Sequence, residues 1–382
     1  MRGRALILLC ALLLAFAVSQ VARAGEGTFS VHEYSLPANA TNIGAMTADA
    51  SGNVWLIQDE PPVLYKLGRE NGTFSHYPLD GFRNAGFTGM SADNAGFVWF
   101  ADPKGNRFGA YKEVDNKTST FDFPGPMAPS SILRDGNAVF VGCKEEVGEY
   151  DLRFPDEPFL DHFVYHMDSY LQDVHFDRFG NVWAVEYAKG NVSVYWRTYD
   201  KTSEFAIPTG DSYPTCLAID SLGRLWFVES GANKLGMFDT ERFDFSEYEM
   251  PLVDGAKPVI SHVATVGDSV WLTDLKNDRV LRFDPDEGHF AAALLANGSV
   301  PTFISADSNG TLWIYEAGSK KLASLDVTDQ FGQATPTPTP GPTATVQPSA
   351  TATPQPTKTP GSLSIISIAA LISALLIRRA IQ

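Results

Sequence analysis

The stretch Asp220-Ser-Leu-Gly-Arg-Leu-Trp-Phe-Val-Glu-Ser-Gly-Ala-Asn-Lys-Leu-Gly-Met-Phe-Asp239 decides the fold. It opens with a tight Asp-Ser-Leu-Gly turn, in which Asp caps the local backbone and Gly accepts a positive φ. A short apolar strand runs through Trp226 to Glu229, and after a Gly/Asn/Lys loop a second strand ends at Asp239. Most of the chain up to residue 330 repeats this unit with variation. The anchor aromatics are Trp55, Trp99, Phe140, Trp183, Trp226, Trp271 and Trp313, separated by 44, 41, 43, 43, 45 and 42 residues. A fixed period of 40 to 50 residues is the signature of a propeller.

Matching turns precede most anchors: Asp49-Ala-Ser-Gly-Asn53, Asp93-Asn-Ala-Gly96, Asp177-Arg-Phe-Gly-Asn181 and Asp307-Ser-Asn-Gly310. Shortened forms stand at Arg134-Asp-Gly-Asn137 and Val266-Gly-Asp268. Each unit also carries an aromatic-rich outer strand, such as Phe74-Ser-His-Tyr-Pro-Leu79 or Phe205-Ala-Ile-Pro208. Four short strands per unit make a blade, so the expected fold is all-β: a seven-bladed β-propeller of four-stranded blades over residues 25–330. The last unit lacks an outer strand after Leu325. Thr28-Phe-Ser-Val-His-Glu-Tyr-Ser-Leu-Pro37 has the pattern to supply it, so the N-terminal strand is expected to close blade seven.

The ends read differently. Residues 1–24 carry Arg2 and Arg4, an apolar run and Ala22-Arg-Ala24, the pattern of a secretory signal peptide. Residues 331–360 are rich in Thr and Pro, a composition that buries no core and reads as an extended stalk. Residues 361–382 hold an apolar run from Leu363 to Ile377 followed by Arg378-Arg379, expected to be a hydrophobic membrane anchor or transmembrane helix with its basic end inside. This tail resembles archaeal surface-protein tails that carry a Pro-Gly-Phe motif, with Ser362 in place of the Phe. The expected location is therefore the cell surface, with the propeller outside. Six sequons, at Asn39, Asn71, Asn116, Asn191, Asn297 and Asn309, are glycosylation candidates for an exported glycoprotein. The net charge of −16 excludes a basic nucleic-acid face. Cys143 and Cys216 fall in non-adjacent blades and are expected to be buried thiols rather than a disulfide.

Three positions past each anchor aromatic stand Gln58, Asp102, Cys143, Glu186, Glu229, Asp274 and Glu316. The repeat is expected to bring the five carboxylates to one rim of the central channel. There they either pair with basic residues nearby, Lys104, Arg107, Lys189, Lys234, Lys276, Arg279, Lys320 or Lys321, or hold a Mg or Ca ion, with Glu229, Asp274 and Glu316 as the possible metal ligands.

The pattern Leu225-Trp-Phe-Val-Glu229, Gly231-Ala-Asn-Lys-Leu-Gly236 and Phe245-Ser-Glu-Tyr-Glu-Met-Pro251 resembles the virginiamycin B lyase (streptogramin lyase) family across residues 28–329. That resemblance implies a propeller. In active members it implies linearisation of a cyclic depsipeptide by elimination, with a histidine base and a magnesium ion held by acidic residues. The family's histidines come from Pro-His-Gly-Ile segments. Here the segments read Pro214-Thr-Cys-Leu217, Ile260-Ser-His-Val263 and Pro301-Thr-Phe-Ile304, with Thr215, Ser261 and Thr302 at the histidine position. His262 stands one residue off, and in a regular strand that shift turns a side chain to the other face. His175 is the remaining catalytic candidate. Two readings stay open: a surface propeller that binds a small molecule, cation or envelope partner without catalysis, and a divergent lyase or lactonase-like enzyme.

Overall fold

A computed structural model describes residues 25–26, 31–123, 126–143, 146–153 and 171–327. The expected signal peptide, stalk and anchor lie outside these residues. By contacts the chain divides at Pro348, and the unit from Ser349 onward is wholly among the residues not described.

The described residues build seven antiparallel sheets within residues 43–78, 89–122, 131–151, 171–206, 214–249, 260–294 and 301–326. These are blades one to seven. Blade five shows the plan: Pro214–Ile219 lies innermost, followed outward by Arg224–Glu229, Lys234–Asp239 and Asp244–Glu249. The seven innermost strands each contact both neighbours, so the ring is closed. Blade three shows three strands among the described residues. The helical content among them is one 3-10 turn, Glu113–Asp115, and no described helix is long and apolar enough to cross a membrane.

The ring closes as the sequence suggests. Val31–Ser35 pairs antiparallel with Lys321–Asp326 as the outer strand of blade seven, and Lys321 Nζ meets Glu33 at 2.5 Å across the pair. An addition the repeat does not announce is the pair Gly25–Glu26, which runs parallel to the outer strand of blade six.

Each blade packs face to face on two others, and this dictates its composition. Seven apolar clusters fill the seven junctions; Trp226, Val228 and Leu235 of blade five, for example, pack with Val270, Leu272 and Phe283 of blade six. Other junctions repeat the arrangement, as between blades four and five and between blades six and seven. A second strand is therefore covered on both faces, which is why Val54–Gln58, Ala138–Gly142 and Val182–Glu186 are buried throughout instead of alternating. Burying a large side chain such as Trp226 is worth about 1.5–3 kcal/mol.

The Asp-Gly turns do more than reverse the chain. Asp220 Oδ1 accepts the amides of Leu222 and Arg224, while Oδ2 accepts the Trp226 indole N–H at 2.8 Å. Gly223 closes the turn at φ +83°, a left-handed conformation that Gly adopts without a Cβ penalty. The same indole bond recurs between Asp49 and Trp55, Asp93 and Trp99, Asp177 and Trp183, and Asp307 and Trp313. The six-residue Asp-to-Trp spacing thus gives a buried donor its acceptor, as burial requires. Cys143 and Cys216 are both free thiols and both buried.

Candidate functional site

The innermost strands surround a central channel of about 690 Å³. That volume lies in the range of small-molecule sites. Its wall is built from the inner strands alone, and their pairing decides which side chains reach it.

In five blades the inner strand slips register against the second strand. The irregularities fall between Ile43 and Ala45, Leu171 and Val174, Thr215 and Leu217, Ile260 and Val263, and Pro301 and Phe303. Each is a β-bulge, in which one extra residue faces a single partner and re-aims the chain. The residues at the same offset within these bulges are Ala45, Asp173, Cys216, His262 and Phe303, and all five line the channel. Blades four to six therefore bring a carboxylate, a thiol and an imidazole side by side.

Asp173 is the anchor of this group. Its Oδ1 accepts the Val174 amide, and its Oδ2 accepts the Leu217 amide from the next blade at 3.2 Å. His175 Nε2 stands 3.6 Å from that same Oδ2, and both side chains stay open, at 27% exposure for Asp173 and 38% for His175. His262 Nδ1 lies 2.9 Å from the Thr302 carbonyl oxygen, and its ring meets Phe303 edge-on at 4.7 Å. Burial pushes its imidazole below the ordinary value, against the upward pull of Asp173 and the Thr302 carbonyl. A neutral ring then donates through Nδ1 and keeps a lone pair on Nε2. Burial, reinforced by the Asp173 charge, pushes the Cys216 thiol up to about 12, so it stays protonated and is a poor nucleophile at neutral pH.

The expected rim of carboxylates is arranged otherwise. Asp102, Glu186, Glu229, Asp274 and Glu316 are all fully buried at the ends of their second strands, and none lines the channel. They hold loops. Asp102 accepts the amides of Gly86 and Gly105 and pairs with Arg107 Nε at 3.0 Å. Asp274 accepts the Val259 amide and pairs with Arg279 Nε at 2.7 Å. Glu186 accepts the Ser193 hydroxyl and lies 3.7 Å from Lys189, and Glu316 accepts the Ser319 hydroxyl at 2.6 Å. Burial pushes both of these glutamates above the usual carboxylate range.

The expected cation partners are realised only in part. Of the candidates, Arg107 holds Asp102 and Arg279 holds Asp274, whereas Lys321 sits across from Glu316 but turns to Glu33. Lys234 pairs across the strands with Glu229, yet its ammonium goes to Glu247 Oε2 at 2.8 Å and to Thr209. Thr209 in turn gives its proton to Glu247. Both Glu229 oxygens are left without a hydrogen-bond donor, and burial, with Glu247 adding its charge, pushes this carboxyl up to about 8.

A family model described as the virginiamycin B lyase family matches residues 154–353. The chain belongs to the virginiamycin B lyase family. A streptogramin B lyase structure superposes with a TM-score of 0.67 at 20% identity, covering 78% of this chain and 97% of its own. The virginiamycin B lyase of Staphylococcus aureus gives 0.68 at 20% identity, covering 78% of this chain and 100% of its own. The catalytically inactive form of that enzyme with quinupristin gives the same 0.68, 20%, 78% and 100%. At that identity the superpositions establish the fold. Among curated proteins no match is found.

Of the hydroxyl residues that the resemblance set in place of histidines, Thr215 and Ser261 line the channel, and Ser261 Oγ donates to the Thr302 carbonyl at 2.6 Å. The expectation that His262 points to the other face is corrected, because the bulge places both Ser261 and His262 opposite Thr273 and both reach the channel wall. Alternation holds only in a regular ladder. The magnesium ion implied by the family does not fit the residues present. Asp173 is the lone carboxylate on the described wall, and among the described residues no group of three or more His, Cys, Asp or Glu side chains is placed to hold a metal.

Proposed function

We propose that the chain is an exported, surface-anchored propeller that binds a small molecule in its central channel, with Asp173, His175, Thr215 and His262 as its polar contacts. The observation that carries this reading is the bulge arc of blades four to six, which gathers the titratable groups of the described channel wall on one side. The opposite side carries no titratable group: Ala45, Met46, Met90 and Leu133 stand there among the hydroxyls of Thr47, Thr88, Ser91, Ser130 and Ser131. A few titratable groups gathered on one side of an otherwise uncharged wall can orient a small ligand. A thermal-shift screen of small molecules tests it, with Thr215→Trp as a variant that fills the channel. Hits that stabilise the wild type and lose their effect in the variant support the reading. Hits indifferent to the variant place binding elsewhere and sink it.

Export and anchoring rest on the signal-like residues 1–24, the Thr/Pro-rich stretch and the apolar run before Arg378-Arg379. Cell fractionation tests them. The full chain is expected in the membrane fraction, and truncation before Ala334 is expected to release the propeller into the medium. Full-length protein in the cytosol would end this part.

A second reading, a divergent lyase, is favoured by one observation. His262 holds its Nδ1 on the Thr302 carbonyl, which leaves Nε2 as a proton acceptor of the kind a general base needs. Incubation with a cyclic depsipeptide, followed by mass spectrometry for the linearised product, checks it. Turnover lost in His262→Ala supports the lyase; intact substrate removes it and leaves the binding reading standing.

A further inference from the structure

We infer that the channel selects small organic cations, a quaternary ammonium held against Asp173 with Phe303 and the methionines as its apolar walls. This rests on the channel being the binding site. No lysine or arginine lines it among the described residues, and Asp173 is the one carboxylate there. Every other group that can carry charge on the described wall is accounted for. Burial pushes His262 towards its neutral form, against the pull of Asp173, and Cys216 stays a thiol. His175 Nε2 stands 3.6 Å from Asp173 and is the imidazole paired with it. A carboxylate in a channel without cations focuses a negative potential, which draws in a positive ligand and repels an anion. The chain's net charge of −16 adds to that field.

The rest of the wall decides between a metal ion and an organic cation. A small divalent ion takes about six or more oxygen ligands, waters among them, and is anchored by carboxylates with free lone pairs. Asp173 already spends lone pairs on the Val174 and Leu217 amides, and no second carboxylate stands near it on the wall. A large, weakly hydrated ammonium needs one counter-charge and polarisable surface. Phe303, stacked on Tyr315 at 6.0 Å, offers an aromatic ring, and Met46 and Met90 offer thioethers. Aromatic rings attract ammonium groups, most strongly when water is excluded.

Choline and dimethylbutanol, its uncharged carbon isostere, separate charge from shape. Saturation-transfer NMR and titration with the purified full chain should show choline bound at least tenfold more tightly than the isostere, with acetate not bound. Asp173→Asn should abolish that preference. Since Asp173 also holds two amides, His175→Lys serves as a second variant, leaving Asp173 in place beside a permanent cation, and is expected to lose choline equally. Equal binding of choline and the isostere, preference for acetate, or choline binding unchanged in both variants would overturn the inference. A neutral ligand displaced by Thr215→Trp would overturn this inference alone and keep the channel as the site. Choline binding insensitive to Thr215→Trp would sink both.

Discussion

At the scale of single residues, for four of the five buried acids the side chain across the strand decides how the acid is satisfied. Asp102 and Asp274 face Arg107 and Arg279, whose guanidinium groups reach back to close the pair. Glu229 and Glu316 face Lys234 and Lys321, whose pointlike ammonium groups leave for Glu247 and Glu33. Arginine's rigid fork holds a carboxylate at short range, whereas lysine's flexible stem follows the strongest acceptor. Glu229 consequently folds in its protonated form. Its folded value of about 8 lies above the unfolded one, so the native state binds the extra proton. Stability is expected to be full below about pH 4.3 and to fall as pH rises towards 8, by a few kcal/mol in all. Glu229→Gln removes the titration, and melts at pH 4, 6 and 8 should show it matching the wild type at pH 4 and exceeding it at pH 8. Parallel curves at all three values would mean that Glu229 has a partner in solution.

At the scale of the element, the Asp turn and the inner-strand bulge divide the work of a blade. The turn is local: one Asp closes its own loop and caps an indole six residues on, so the motif repeats wherever both residues occur. Asp220→Ala strips the amides of Leu222 and Arg224 and the buried Trp226 indole of their acceptor. The loss is expected to be about 2–4 kcal/mol, read by urea unfolding through tryptophan fluorescence. A cost under 1 kcal/mol would show that water replaces the carboxylate. The bulge is not local. It exists only between two paired strands, and it turns His262 from a residue on the wrong face into one on the channel wall.

At the scale of the whole molecule, closure depends on Val31–Ser35 covering Lys321–Asp326, where Leu322, Ala323 and Leu325 are fully buried. Deleting residues 31–35 uncovers that strand and opens the ring, and the melting temperature is expected to fall on the order of 10 °C. An unchanged melt would rule out this latch. The fold also sorts the sequons. Asn39, Asn71, Asn116, Asn297 and Asn309 are exposed, whereas Asn191 sits within a strand, bonded to Glu204, with Ser193 of its sequon buried against Glu186. If the chain is glycosylated on export, peptide mass spectrometry should find Asn191 unmodified. A glycan there would require that strand to form after modification.

The blade count, the blade plan and the closing strand were legible in the sequence because each rests on local chemistry: an Asp-Gly turn, an indole at fixed spacing, an outer strand missing at one end and spare at the other. The candidate site was legible only in part. His175 could be picked out as a histidine on an inner strand, but Asp173 and Cys216 carried no signal of their own, and His262 was assigned to the wrong face. The rim carboxylates repeated faithfully in the sequence, yet repetition does not say whether a strand end meets the channel or the loops above it. Strand pairing and blade packing decide that, since register is a relation between two segments and a lysine's partner is chosen from all the acids within its reach.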